Sequence, residues 1–243
     1  MQTATAITYG TEAGENEFPF VVYTNGTLGC TGVLVDREWV VTSAYCLGYD
    51  TTVVLGDYSR STIDDSEQVI TIADEVPHPM NAETILFDND IGLIKLARRA
   101  NIRSDAVATI NPVNSKSFMK KVLNNKKNCV TLGWGLTNTP DGLLVPTDKL
   151  QKLEMRFVNI TEYDIFPYVQ GAVGVEAITT DRCGRGSVCI GDSGAPVVCK
   201  QRGKWVLVGI GSFMSTLDAC NFGVKGMMNV QLYNDWIESV ISQ

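Results

Sequence analysis

Gly191-Asp192-Ser193-Gly194-Ala195-Pro196 is the segment with the clearest chemical content. Closely spaced glycines let a serine stand exposed while neighbouring backbone N–H groups converge on one point, so one turn builds a nucleophile and an oxyanion hole together. Asp88-Asn89-Asp90-Ile91-Gly92 places a carboxylate at the head of an apolar strand, where Asp90 needs a polar partner to offset its burial. Val40-Val41-Thr42-Ser43-Ala44-Tyr45-Cys46 ends another apolar run beside a cysteine. His78 is the single histidine, which excludes a multi-histidine metal site and narrows acid–base chemistry near neutral pH. Asp57, Ser59, Asp64, Asp65 and Glu67 form an acidic loop with the oxygen chemistry that Ca²⁺ takes, but a solvated hairpin loop is the preferred account, and neither a metal nor another cofactor is expected.

These groups must be positioned by β-structure. Short runs rich in β-branched residues recur at Phe20 to Tyr23, Gly32 to Val35, Trp39 to Thr42, Thr52 to Leu55, Gln68 to Ile72 and Ile91 to Leu96. A polar stretch over 111–128, with Pro112 and five lysines, breaks the rhythm and reads as a linker. It separates a β unit over 1–110 from a second over 129–243. Strands resume at Val130 to Gly133, Gln151 to Val158, Ala195 to Cys199, Trp205 to Ile210 and Gly226 to Val230. Leu232, Trp236, Ile237, Val240 and Ile241 recur at helical spacing, which predicts a closing helix of about three turns.

The 243 residues carry a net charge of -7, which argues against nucleic acid as a partner, and no apolar run has the length of a membrane span. Residues 1–6 lack the basic start and apolar stretch of a signal peptide, so the chain reads as mature and soluble. Seven cysteines without a C-x-x-C pair point to disulfides in an oxidising compartment, and the sequons at Asn25 and Asn159 fit a secreted, extracellular glycoprotein. One cysteine is left over.

The three chemical segments together resemble the trypsin-like serine proteases, in which the corresponding stretches supply serine, aspartate and histidine. Ile7-Thr8-Tyr9-Gly10 with Glu17-Phe18-Pro19-Phe20, then Gly133-Trp134-Gly135 and Asp235-Trp236-Ile237, extend the resemblance over nearly the whole chain. It implies an all-β fold of two six-stranded antiparallel barrels with a C-terminal helix. It also implies an oxyanion hole from the Gly191 and Ser193 N–H groups and the disulfides Cys30–Cys46, Cys129–Cys199 and Cys189–Cys220. Cys183 falls at a family cysteine position, but Tyr163 stands where its partner would be. Cys183 is therefore expected to be free or to make a disulfide dimer of an otherwise monomeric chain.

The departures from the family pattern bear on function. Tyr45 occupies the family's histidine position, leaving Tyr45, Asp90 and Ser193 as the triad positions. A phenol with pKa near ~10 does not take a proton from serine at neutral pH, and loss of the histidine in related triads costs about a millionfold in kcat. The tyrosine is expected instead to fill the histidine's space and donate its hydroxyl to Asp90. His78, between Pro77 and Pro79, is not expected to replace the base. In the activation region, Ala6 precedes Ile7, so the amino group that would pair with Asp192 is not expected to be free, and the oxyanion hole is expected to be rearranged. In the specificity pocket, Ser187 supplies no carboxylate for Lys or Arg, and Met214 is expected to obstruct the cleft.

The resulting expectation is a protein that is not an enzyme: a secreted pseudoprotease with a protein partner, similar to inactive arthropod homologues that modulate proteolytic cascades. Short segments resemble mite trypsin-type allergens and the inactivated paralogues of the scabies mite that interfere with complement. The alternatives are a weak or atypical hydrolase using Ser193 and a cofactor of arthropod melanisation.

Overall fold

The computed structural model of the chain describes residues 7, 10–63, 66–81, 88–102, 104–138, 143–158, 175–180, 188–214 and 225–243. After a two-residue strand, β1 (Thr11–Glu12), the first β unit is built from β2 (Val21–Gly26), β3 (Thr31–Asp36), β4 (Trp39–Thr42), β5 (Asp50–Leu55), β6 (Gln68–Pro77) and β7 (Gly92–Leu96). They close as an antiparallel barrel in the order β2-β3-β4-β7-β6-β5. Val22, Leu34, Val40, Val53, Leu55, Ile70 and Ile94 fill its interior, which is why these strands read as β-branched runs.

The second unit comprises β8 (Cys129–Gly133), the hairpin of β9 (Leu136–Asn138) and β10 (Leu144–Pro146), β11 (Gln151–Val158), β12 (Val175–Thr180), β13 (Pro196–Gln201), β14 (Lys204–Met214) and β15 (Lys225–Asn229). Antiparallel pairings run β8-β11-β12-β15-β14-β13 and return from β13 to β8, so six strands form a ring, with β1 added at the edge through Thr11 and Lys152. Along β11 the buried residues Leu153, Met155 and Phe157 alternate with less buried ones, the period of a strand with one face on a core.

Two features differ from the sequence expectation. The stretch over 111–128 holds α1 (Lys116–Leu123), whose N-cap Ser115 accepts the Phe118 N–H at 3.2 Å and which buries Phe118, Met119 and Val122. That 3–4 spacing of apolar residues was masked by the surrounding lysines. The closing helix α2 (Asn234–Ile241) is about two turns long, because a 3-10 turn over Val230–Leu232 takes the residues before it.

Ile7 is fully buried among Phe118, Phe157, Val197 and Met227. Two disulfides, Cys30–Cys46 and Cys129–Cys199, form within the described residues. Cys189 is also disulfide-bonded, but Cys220 and Cys183 lie outside the described residues. No described helix is long and apolar enough to cross a membrane.

Candidate active site

The turn that carries Ser193 is fixed by backbone bonds to both β units. Asp192 N–H donates to Cys189 O at 3.0 Å, Ala195 N–H to Asp192 O at 3.0 Å and Gly194 N–H to Gly211 O at 3.0 Å. Across the molecule, Thr31 N–H donates to Ser193 O at 3.0 Å, tying the turn to the first barrel. Gly191 and Gly194 have φ of 93° and 76°, a conformation costly for any residue with a Cβ. A Cβ on Gly194 would in addition strike Thr31 O and Thr42 Oγ1. Ser193 is left half-buried, and among the described residues neither its N–H nor that of Gly191 donates to a protein acceptor.

Asp192 is buried, with its carboxyl pressed against the Gly133-Trp134-Gly135 segment. A Cβ on Gly135 would lie 2.5 Å from Asp192 Cγ, which explains that glycine. The carboxyl accepts the Gly135 N–H at 2.9 Å and the Cys189 N–H at 2.8 Å. Burial nevertheless pushes its pKa up to about 7, because two neutral donors only partly offset the lost solvation. No cation pairs with it among the described residues, and Ile7 belongs to the apolar cluster around α1.

Asp90 is equally buried but far better served. Ser43 Oγ lies 2.7 Å from both carboxylate oxygens, Ser212 Oγ donates to Oδ2 at 2.5 Å and Tyr45 N–H donates to Oδ1 at 2.9 Å. Ser43 also N-caps the short 3-10 turn over Ala44–Cys46, so the same hydroxyl shapes the turn and supplies the carboxylate. The expectation that the Tyr45 hydroxyl would reach Asp90 is corrected. The Tyr45 side chain turns outward, 56% exposed, with its ring centroid 6.5 Å from that of Tyr49. Ser43 and Ser212 already occupy the acceptor positions, and sequence reasoning missed both because they reach Asp90 from distant parts of the chain.

His78 packs edge-on against Tyr233 and Trp236, with centroids at 5.2 and 4.9 Å, and its Nδ1 accepts the Met80 N–H at 3.3 Å. Partial burial lowers its pKa. The ring is thus engaged with α2 and the turn that leads into it. Ser187 lies outside the described residues; Met214 pairs with Lys225 along β14–β15, with its side chain outside them. Of the glycosylation sequons, Asn25 is exposed at the end of β2 and Asn159 is outside the described residues.

One residue of the site had no place in the sequence reading. Lys225, at the start of β15, shares a cavity with Val188, Asp192, Ser193, Gly211 and Ser212. A lysine beside the apolar run Gly226-Met227-Met228 was the available signal.

Comparison with known proteins matches residues 7–237 to the trypsin family. The chain is 31% identical to the human chymotrypsin-like elastase family member 1 over 99% of this chain and 94% of the relative. It is 34% identical to human chymotrypsin-like elastase family member 3A, covering 88% and 78%, and 33% identical to proproteinase E of Bos taurus, covering 88% and 83%. These findings overturn the expectation of a chain that is not an enzyme, since the named relatives are elastases and a proteinase and no observation shows a loss of activity. The nucleophile turn, the buried Asp90 and the match over 7–237 agree on one identity: the chain belongs to the trypsin family of serine proteases.

Proposed function

We propose that the protein is a secreted serine hydrolase that uses Ser193 as nucleophile without an imidazole base. The observation that carries this reading is the intact Ser193 turn, with the Gly191 and Ser193 N–H groups open to an incoming oxygen. A carbonyl bound there would be polarised by those donors while Ser193 Oγ forms the new C–O bond and releases its proton to water. Collapse of the tetrahedral adduct expels the leaving group, which takes a proton from water, and hydrolysis of the ester on Ser193 restores the enzyme.

The rate is the distinguishing feature. Removing the histidine from a triad costs about a millionfold, while the oxyanion hole and binding alone retain about 10³–10⁴-fold over water. Starting from a turnover near ~10 per second, the expected value is ~10⁻⁵ per second. Asp90 does not offset this loss, because its charge is already met by Ser43, Ser212 and the Tyr45 N–H. Secretion is supported by the two disulfides, which persist in oxidising compartments.

A second reading accompanies the first: so slow a hydrolase retains the polypeptide it binds, and thereby regulates a proteolytic cascade such as complement. The exposed Tyr45–Tyr49 pair beside the site favours it, because exposed aromatic rings are common anchors of protein interfaces. Incubation with an activated aryl ester tests the main reading. Intact mass is expected to show acyl adduct accumulating on Ser193, absent from Ser193→Ala. Ester turnover that is unchanged in Ser193→Ala would remove Ser193 from the mechanism.

A further inference from the structure

Lys225 is 1% exposed, and among the described residues its Nζ has no hydrogen-bond partner. Lysine is almost never fully buried unless paired, because burial penalises the ammonium. Burial pulls the Lys225 pKa down to about 8, so at pH 7 the ammonium still exceeds the amine by about tenfold. The side chain faces a cavity of about 30 Å³ that is also lined by Val188, Asp192, Ser193, Gly211 and Ser212. That space suits one or two water-sized groups.

Among the described residues, no internal anion neutralises this cation. Asp192 shares the cavity, but its oxygens are directed to the Gly135 and Cys189 N–H groups, and no ion pair joins it to Lys225. An extended polypeptide has a place to lie beside the cavity. The pairing of β14 with β13 stops at Ile210, whereas β14 pairs with β15 as far as Met214. Among the described residues, the other edge of β14 from Ser212 onward therefore carries no strand, the arrangement that accepts an added strand.

We propose that Lys225 is a specificity residue that receives the carboxylate of an acidic peptide side chain, aspartate above all, on the residue whose carbonyl is presented to Ser193. The two carboxylate oxygens match the water-sized space, and the ammonium already occupies the depth that a longer side chain would need. The choice of that residue as the one cleaved rests on the reading of Ser193 as nucleophile. The binding itself does not.

The test uses the Ser193→Ala protein and calorimetry with the amides of acetyl-Ala-Ala-Pro-Asp and its Asn, Glu and Lys counterparts. The Asp peptide is expected to bind at least tenfold more tightly than the Asn peptide, with Glu between them. Lys225→Met should abolish that preference and Lys225→Arg should keep it, with circular dichroism confirming that both remain folded. Equal binding of Asp and Asn, no measurable binding of Asp at millimolar concentration, or a preference that survives Lys225→Met would each overturn the proposal. With Ser193 present, labelling of the natural chain by an uncharged fluorophosphonate reads the nucleophile separately from the binding. Its absence would count against Ser193 as nucleophile and leave the peptide-binding result to decide the role of Lys225.

Discussion

Asp90 and Asp192 are both buried carboxyl groups at the same site, one from each β unit, and their surroundings treat them in opposite ways. Asp90 receives two serine hydroxyls and a backbone N–H. Asp192 receives two N–H groups, lacks a cation among the described residues, and has its pKa raised to about 7 by burial. Lys225, in the cavity shared with Asp192, is a buried cation with no partner among the described residues. The half of the site from the first barrel is electrostatically complete, whereas the half from the second leaves charges unmet. A complete half contributes stability, and an incomplete half is where a ligand gains most by binding.

The largest effect on stability is therefore expected at Asp90. Asp90→Ala leaves the Ser43 and Ser212 hydroxyls without their carboxylate acceptor and the Tyr45 N–H with Ser43 Oγ alone, and urea unfolding should show a loss of about 3 kcal/mol. A loss no larger than that of an average surface substitution would break the comparison. Lys225→Met should act in the other direction, gaining about 1–2 kcal/mol at pH 7 by removing a buried unpaired charge. That gain should fade as pH rises from about 8 toward the unfolded value near 10.5. In that window the unfolded chain holds a proton that the folded chain has released, so the natural protein gains stability with pH.

Asp192→Asn sharpens the contrast with the smallest change. The folded protein keeps the Asp192 proton up to about 7, while the unfolded chain releases it near 3.8, so this group's contribution to stability is lost as pH rises through that interval. Near pH 4, where the unfolded chain still holds much of the proton, the amide stands in for the protonated acid, and the substitution should shift stability by less than about 1 kcal/mol. Above pH 7 the variant should be relatively more stable. Thermal unfolding across pH 4–8 checks both statements, and parallel stability curves for the two proteins would contradict them.

The strands of both units were legible because their residues are β-branched and buried on at least one face, and the nucleophile turn because its glycines and serine are contiguous. What joins distant segments was not. Ser43 and Ser212 meet Asp90 across 47 and 122 residues of sequence, so no local pattern records them. Tyr45 was expected at the carboxylate, but the shorter Ser43 hydroxyl on the same turn is already there, and the phenol is left to turn outward. β12 and the β9–β10 hairpin escaped notice because Val175-Glu176-Ala177-Ile178 and Leu136-Thr137-Asn138 are short and their apolar character is diluted. Lys225 was hidden by its type, since lysine ordinarily marks a surface.

The proposed hydrolase uses Ser193 without an imidazole base, and the labelling rate of Ser193 by a fluorophosphonate is the sharpest test of that proposal. The natural chain should label slowly and only at Ser193. Tyr45→His should be at least ~100-fold faster, a fraction of the millionfold a complete triad supplies, and adding Ser43→Ala should raise it further by freeing Asp90 for the imidazole. Labelling of the natural chain as fast as an ordinary serine protease, or a rate indifferent to Tyr45→His, would contradict the account.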